Sequence, residues 1–218
     1  MKTLSNPSSP FLRRTVALCA TALLTLGGCT IIPEAAIDQT RYYVLSGPTT
    51  TLLAVARPTG THQIGLRPVE LPGYLRNHKD MVVRTGANEL RFQEFALWAE
   101  PLEAGINRVL KERLLSTDAI GGVTTYPFSM DVRRDYDVVV RVLNCEGLRT
   151  SANTHVARFA AAYDIIATGT SGQVIARRTF TAPDQAWNGT DYAALAHLLS
   201  EATAKLSEDI AANLPARN

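Results

Sequence analysis

The chain has 218 residues, with 22 Lys+Arg against 20 Asp+Glu and 46% hydrophobic residues. That length suits a single domain with a tail, and the composition excludes general disorder. A net charge of +2, without a long basic run, excludes a phosphate-tracking nucleic-acid binder.

Lys2, Arg13 and Arg14 precede an apolar stretch from Val16 to Leu26, followed by Gly27, Gly28 and Cys29. A positive start, a short apolar core and small residues before a cut site describe an export signal. The stretch falls short of the about 20 apolar residues that span a bilayer. Leu26-Gly27-Gly28-Cys29 also fits a bacterial lipobox, so Cys29 is expected to carry the lipid. Residues 1-28 are then a signal peptide, 29-40 a lipidated tether and 41-214 one folded domain. Losing Lys2, Arg13 and Arg14 with the signal turns +2 into −1. Thr30, rather than Asp, after the cysteine points to the outer membrane. The tether reaches at most about 35 Å at about 3.3 Å per residue, so the domain stays near its membrane. Two or three acyl chains anchor firmly where one holds marginally.

In chain order, Arg41 to Leu45 reads as a strand and Thr49 to Gly60 as a loop. His62 to Val69 is a second strand, and Pro72-Gly73 makes a turn. Met81 to Arg84 and Glu89 to Phe92 form a hairpin around Thr85 to Asn88. From Pro101, the residues Leu102, Ile106, Val109, Leu110 and Leu114 recur at helical spacing. Gly121-Gly122 is expected to break the chain before a short strand, Val123 to Tyr126. Tyr136 to Leu143 is β-branched and central in a sheet. In His155 to Thr168, Ala157, Phe159, Ala161, Tyr163 and Ile165 share one face, while Arg158 and Asp164 share the other. Gln173 to Ala182 returns as the second arm of a hairpin. Asn188 to Asp191 supplies a helix cap, and Leu195, Leu199, Ala202, Leu206 and Ile210 form one apolar face. The fold class is therefore α+β: a two-layer sandwich, with two amphipathic helices on one face of a largely antiparallel sheet.

No nucleophile–base pair, metal-ligand spacing, Walker loop or dinucleotide glycine pattern is present, so no enzyme activity, metal or cofactor is expected. Cys145 alone remains after processing and reads as a small buried hydrophobe. The conspicuous features are apolar and aromatic: Tyr42-Tyr43, Leu71 to Leu75, and Leu97 to Leu102. They serve either the core or a surface for a partner or lipid, with Tyr42, Tyr43, Tyr74, Leu75 and Trp98 the candidate contacts.

These same segments carry a family resemblance. A lipobox cysteine, then Tyr42-Tyr43-Val44-Leu45, then Ile64 through Leu75 with Val69, Leu71, Pro72 and Tyr74, resembles the PqiC/YmbA family. So do Trp98-Ala99-Glu100-Pro101-Leu102 and Asp191-Tyr192, each opening a helix. The family comprises auxiliary lipoproteins of ABC-type and MCE-domain intermembrane transport systems. The resemblance implies an outer-membrane lipoprotein facing the periplasm and supporting envelope integrity. Its partners would be the membrane, through the N-terminal lipid, and a periplasmic MCE-domain (PqiB-like) protein. A phospholipid ligand and a homo-oligomer are further expectations. Two other readings stay open: a periplasmic lipid or lipoprotein carrier, and a structural lipoprotein of another envelope assembly.

Overall fold

The computed structural model describes residues 37–47, 60–169 and 172–215. The export signal, Cys29, most of the expected tether and the loop from Thr49 to Thr59 lie outside these residues. Residues 39–218 form one compact unit.

Among the described residues, nine strands and two helices follow in chain order: β1 (Arg41–Tyr43), β2 (His62–Leu66), β3 (Asp80–Gly86), β4 (Glu89–Trp98), α1 (Leu102–Leu115), β5 (Ile120–Thr125), β6 (Tyr136–Arg149), β7 (His155–Ala167), β8 (Val174–Thr181), β9 (Gln185–Trp187) and α2 (Tyr192–Ala212). The expected α+β architecture is present, as a mixed sheet that does not close into a barrel. β6 and β7 form its spine, an antiparallel ladder running from Tyr136↔Ala167 to Arg149↔His155. Outside β7, β8 and β9 pair with different stretches of that strand. Outside β6 the sheet forks, because β2 runs parallel to its start and β3 parallel to its end. One branch ends in β5 and the other passes through β4 to β1. Parallel pairs at the fork join residues far apart in sequence, so no local pattern announces them.

Helix α2 covers the face written by the odd residues of β7, and α1 packs beside α2 and against β5. Phe159, Ala161, Tyr163 and Ile165 are each at most 1% exposed, and the Tyr163 hydroxyl donates to Asp209 Oδ2 of α2 at 2.5 Å. All five predicted apolar positions of α1 are buried, and so are all five of α2. Helix α2 is buried more widely than an amphipathic stripe requires, since α1 packs beside it. Ser200, Thr203 and Ser207 can therefore be buried, each donating its hydroxyl to a carbonyl of its own helix. Asp191 caps α2, accepting from the Ala193 and Ala194 amides at 3.0 and 3.1 Å. Gly189 precedes it with φ +86°, and a Cβ there would press into the His155 ring at 2.7 Å.

The expected elements differ in several places: β1 stops at Tyr43 and β2 at Leu66, while β4 runs on past Phe92 to Trp98. Gly121 and Gly122 lie inside β5 rather than before it; a Cβ would strike the Gly60 carbonyl at Gly121 and the Gln63 side chain of β2 at Gly122. β6 continues past Leu143 to Arg149 across a bulge between Val142 and Asn144, keeping its polar residues on the outer face. β9 was not foreseen; it follows Pro183-Asp184 and pairs with β7 for only three residues.

Candidate functional site

With the helices on one face, the outer face of the sheet and its edges are left uncovered by them. At the β1 edge, Tyr43 turns inward and meets Tyr192 at 6.4 Å, which in turn meets Trp187 at 5.4 Å. The Tyr192 hydroxyl donates to Gln93 Oε1 at 2.6 Å, and the Trp187 indole donates to the Asp191 carbonyl at 2.6 Å. Strand alternation turns Tyr42 the other way, and it is 62% exposed. An open hollow of about 680 Å³ beside it is lined by Arg41, Tyr42, Tyr43, Asp191 and Tyr192.

The Leu71 to Leu75 segment makes one tight turn, closed by Leu75 N donating to Pro72 O at 3.0 Å. Leu71 and Leu75 go into the core at 5% and 3% exposure, while Tyr74 stays half-buried against Arg84, 5.6 Å from its guanidinium. Arg84 Nε donates to Glu146 Oε1 at 2.6 Å, and the Glu146 side chain is fully shielded. Burial, reinforced by the Glu146 charge, pushes the Tyr74 hydroxyl up to about 12. Trp98 lies opposite Tyr43 in the β1–β4 ladder and is 3% exposed. Of the five contact candidates, then, Tyr42 is exposed and Tyr43 and Tyr74 are partly so. Leu75 and Trp98 are packing residues of the core. Tyr42 and Tyr43 sit together on β1, whereas Tyr74 stands against β3 and β6.

The sequence reading missed the arginine pattern on the outer face. Asp137 is gripped by Arg67 (3.1 Å) and Arg134 (3.0 Å), and Asp164 by Arg141 (2.8 Å) and Arg177 (2.9 Å). Each buried carboxylate thus orients two guanidiniums and leaves one positive charge in excess. Burial pushes the Asp164 carboxyl up, but hydrogen bonds from Arg177 and Arg141 outweigh it and hold the group below its ordinary value. Arg158–Asp184 adds a paired couple at 2.7 Å. The period-two reading had placed Arg158 and Asp164 on this face; their partners come from β6, β8 and a turn, beyond any local pattern.

Exposed apolar side chains follow the same asymmetry. Tyr42, Phe92, Phe95, Tyr126, Met130, Val132, Leu143, Val174 and Ile175 are exposed, and among the described residues no exposed large hydrophobic belongs to α1 or α2. Between helices and sheet, Ala161 is wholly buried and Phe159 and Phe180 are in edge contact at 6.4 Å. The hollows open to solvent; a second, of about 520 Å³, is lined by Arg67, Val69, Leu71, Arg76, Tyr126 and Val139. Cys145 is buried, and burial with the neighbouring Glu146 charge pushes its thiol well up, away from nucleophile chemistry. Among the described residues no three His, Cys, Asp or Glu side chains converge as metal ligands, and no helix is long and apolar enough to cross a membrane.

The model of the ABC-type transport auxiliary lipoprotein component family matches residues 43–211. The chain belongs to that family. It is a family of transport auxiliary lipoproteins, not an enzyme class, and envelope localisation follows at that coarse level. The family agrees with the resemblance carried by the Tyr42-Tyr43, Leu71 to Leu75 and Trp98 to Leu102 segments. No curated protein matches the chain significantly. Among solved structures it is similar to protein XCC0632 from Xanthomonas campestris, of family DUF330, at 19% identity and TM-score 0.62, covering 78% of this chain and 92% of that one. It is likewise similar to an uncharacterized protein at 20% identity and TM-score 0.61, covering 79% and 97%. These two similarities bear on the fold alone.

Proposed function

We propose that this auxiliary lipoprotein is anchored through Cys29 in the outer membrane and serves an MCE-type intermembrane lipid transport system. Its folded domain docks a periplasmic MCE-domain, PqiB-like partner, and the contact supports envelope integrity. The observation that carries this reading is the family match over residues 43–211, joined to a lipobox at Leu26 to Cys29. The surface supports docking: paired arginines stand on the outer sheet face, and the exposed aromatics Tyr42, Phe92 and Phe95 lie on β1 and β4. Such composition, rich in Tyr, Phe and Arg, is that of protein interfaces. Tyr42, Tyr43 and Tyr74 are the proposed contacts. With a short tether, the long partner must come to the domain rather than the reverse.

Affinity purification of the native lipoprotein from mildly solubilised membranes tests this. An MCE-domain subunit should co-purify; its absence, under conditions that preserve other envelope complexes, would falsify the docking role. Separating membranes on a density gradient checks the location, and travel with inner-membrane markers would contradict it.

A further inference from the structure

The connection from β5 to β6, residues 126–135, is firmly held at its base and apolar at its tip. Tyr126 N donates to Leu66 O at 3.1 Å, Asp135 N to Gln63 O at 2.7 Å, and Gln63 N to Asp135 Oδ2 at 2.8 Å. The Thr168 hydroxyl donates to the Arg134 carbonyl. The Arg134 guanidinium lies 4.0 Å from the Phe128 ring centroid while its Nε holds Asp137 at 3.0 Å. Gly65 leaves room for this stack, because a Cβ there would stand 2.7 Å from Arg134 Cδ. Beyond that base the chain turns outward. Met130 is fully exposed at 105%, Tyr126 at 58% and Val132 at 38%.

We propose that the Tyr126 to Arg133 loop is a second membrane contact, which enters the headgroup layer of a phospholipid bilayer independently of the lipid on Cys29. The inference rests on the membrane-tethered reading of the N-terminus. Three features favour a bilayer over a protein partner. The tip is too small for a stable protein interface, which needs about 800 Å² on each side, whereas an interfacial anchor needs no complementary surface. Its residues are of the interfacial kind: an aromatic hydroxyl, a flexible thioether and a branched aliphatic, followed by Arg133. And the loop follows β5, where one branch of the forked sheet ends, while the chain enters the domain at β1, where the other branch ends. Two separate contacts restrict the orientation of a domain; a single tether leaves it free to swing. Asp131 limits the depth. The Ser129 hydroxyl donates to its carboxylate, which stays ionised and keeps the tip out of the hydrocarbon.

The test uses the mature chain, residues 29–218, carrying Cys29→Ser, so that neither export signal nor acyl anchor is present, together with Met130→Trp. The native Trp98 and Trp187 are 3% and 7% exposed, so the added indole reports the tip. The probe is vesicles of phosphatidylethanolamine and phosphatidylglycerol, brominated on the acyl chain near the headgroup. The added tryptophan should shift to the blue and be quenched. In the Cys29→Ser chain, Met130→Asp should weaken vesicle co-sedimentation by about tenfold, with the circular dichroism spectrum unchanged. A folded Met130→Trp chain that bromolipid leaves unquenched at lipid excess overturns the proposal. So does a tip shielded only when the co-purified partner protein is added. Val132→Trp gives the same readout should Met130→Trp fail to fold. Loss of the MCE subunit in affinity purification would sink the docking role and leave the vesicle result standing, so the two failures are separable.

Discussion

Strands β6 and β7 carry two surfaces on one backbone, and their difference explains most of the molecule. On the helix side, Phe159, Ala161, Tyr163 and Ile165 face Val138, Val140 and Val142, and nothing there meets water. On the outer side, one residue along, Arg158 and Asp164 stand with Asp137, Arg141 and Glu146. The first surface is held by removal of apolar area from water. The second is held by guanidinium–carboxylate pairs, which in water-exposed settings add little to stability. What those pairs do is fix arginines in place on a surface that no helix covers.

Stability measurements can break that comparison. Phe159→Ala should cost about 3–5 kcal/mol in urea unfolding, through lost burial and the cavity left behind; a cost below about 1 kcal/mol would show the helix side to be loosely packed. Arg84→Ala should come close behind, at about 3 kcal/mol or more, because it leaves Glu146 shielded and unpaired. Adding Glu146→Gln to that variant should restore much of the loss, and failure to restore it would mean that Arg84 acts by packing against Tyr74. Asp191→Ala, which uncaps α2, should cost about 1 kcal/mol. The smallest effect belongs to the outer face. Arg177, 71% exposed at its side chain, should shift the urea midpoint least of the series as Arg177→Ala.

The two faces should also differ in acid. Asp164 is held below its unfolded value, so its contribution is present above the unfolded pKa, about 3.9, and fades as pH falls through the lower folded value. Asp164→Asn should flatten the acid limb of stability against pH, whereas Phe159→Ala should lower the whole curve evenly. An unchanged acid limb in Asp164→Asn would show that its arginine pairs contribute nothing.

Much of the helix side was legible in the sequence. Helical spacing in 102–114 and 195–210, and period two in 155–168, each name residues that are buried together, because apolar burial sets both periods. The sheet's fork was not legible, since β2 and β3 meet β6 through parallel pairs of high sequence separation. Nor was the extension of β6 through Asn144 to Arg149: its Glu146 looks like a strand ending until Arg84, 62 residues away, neutralises it. The surface was read in part. Tyr42 and Tyr74 were picked out as aromatics, but the same reasoning picked Trp98 and Leu75, because aromatic and apolar residues are called for by cores and interfaces alike. The Tyr126 to Arg133 loop was passed over, for only three-dimensional placement shows that Met130 meets solvent while Phe128 is stacked on an arginine.

The docking account is tested most directly by photocrosslinking in living cells, with a crosslinkable residue placed at Tyr42, at Tyr74 and, as the contrasting helix position, at the exposed Glu201. The account predicts crosslinks to the MCE-domain subunit from Tyr42 or Tyr74 and none from Glu201. Crosslinks from Glu201 alone, or from none of the three in cells where the lipoprotein is folded and anchored, would contradict it.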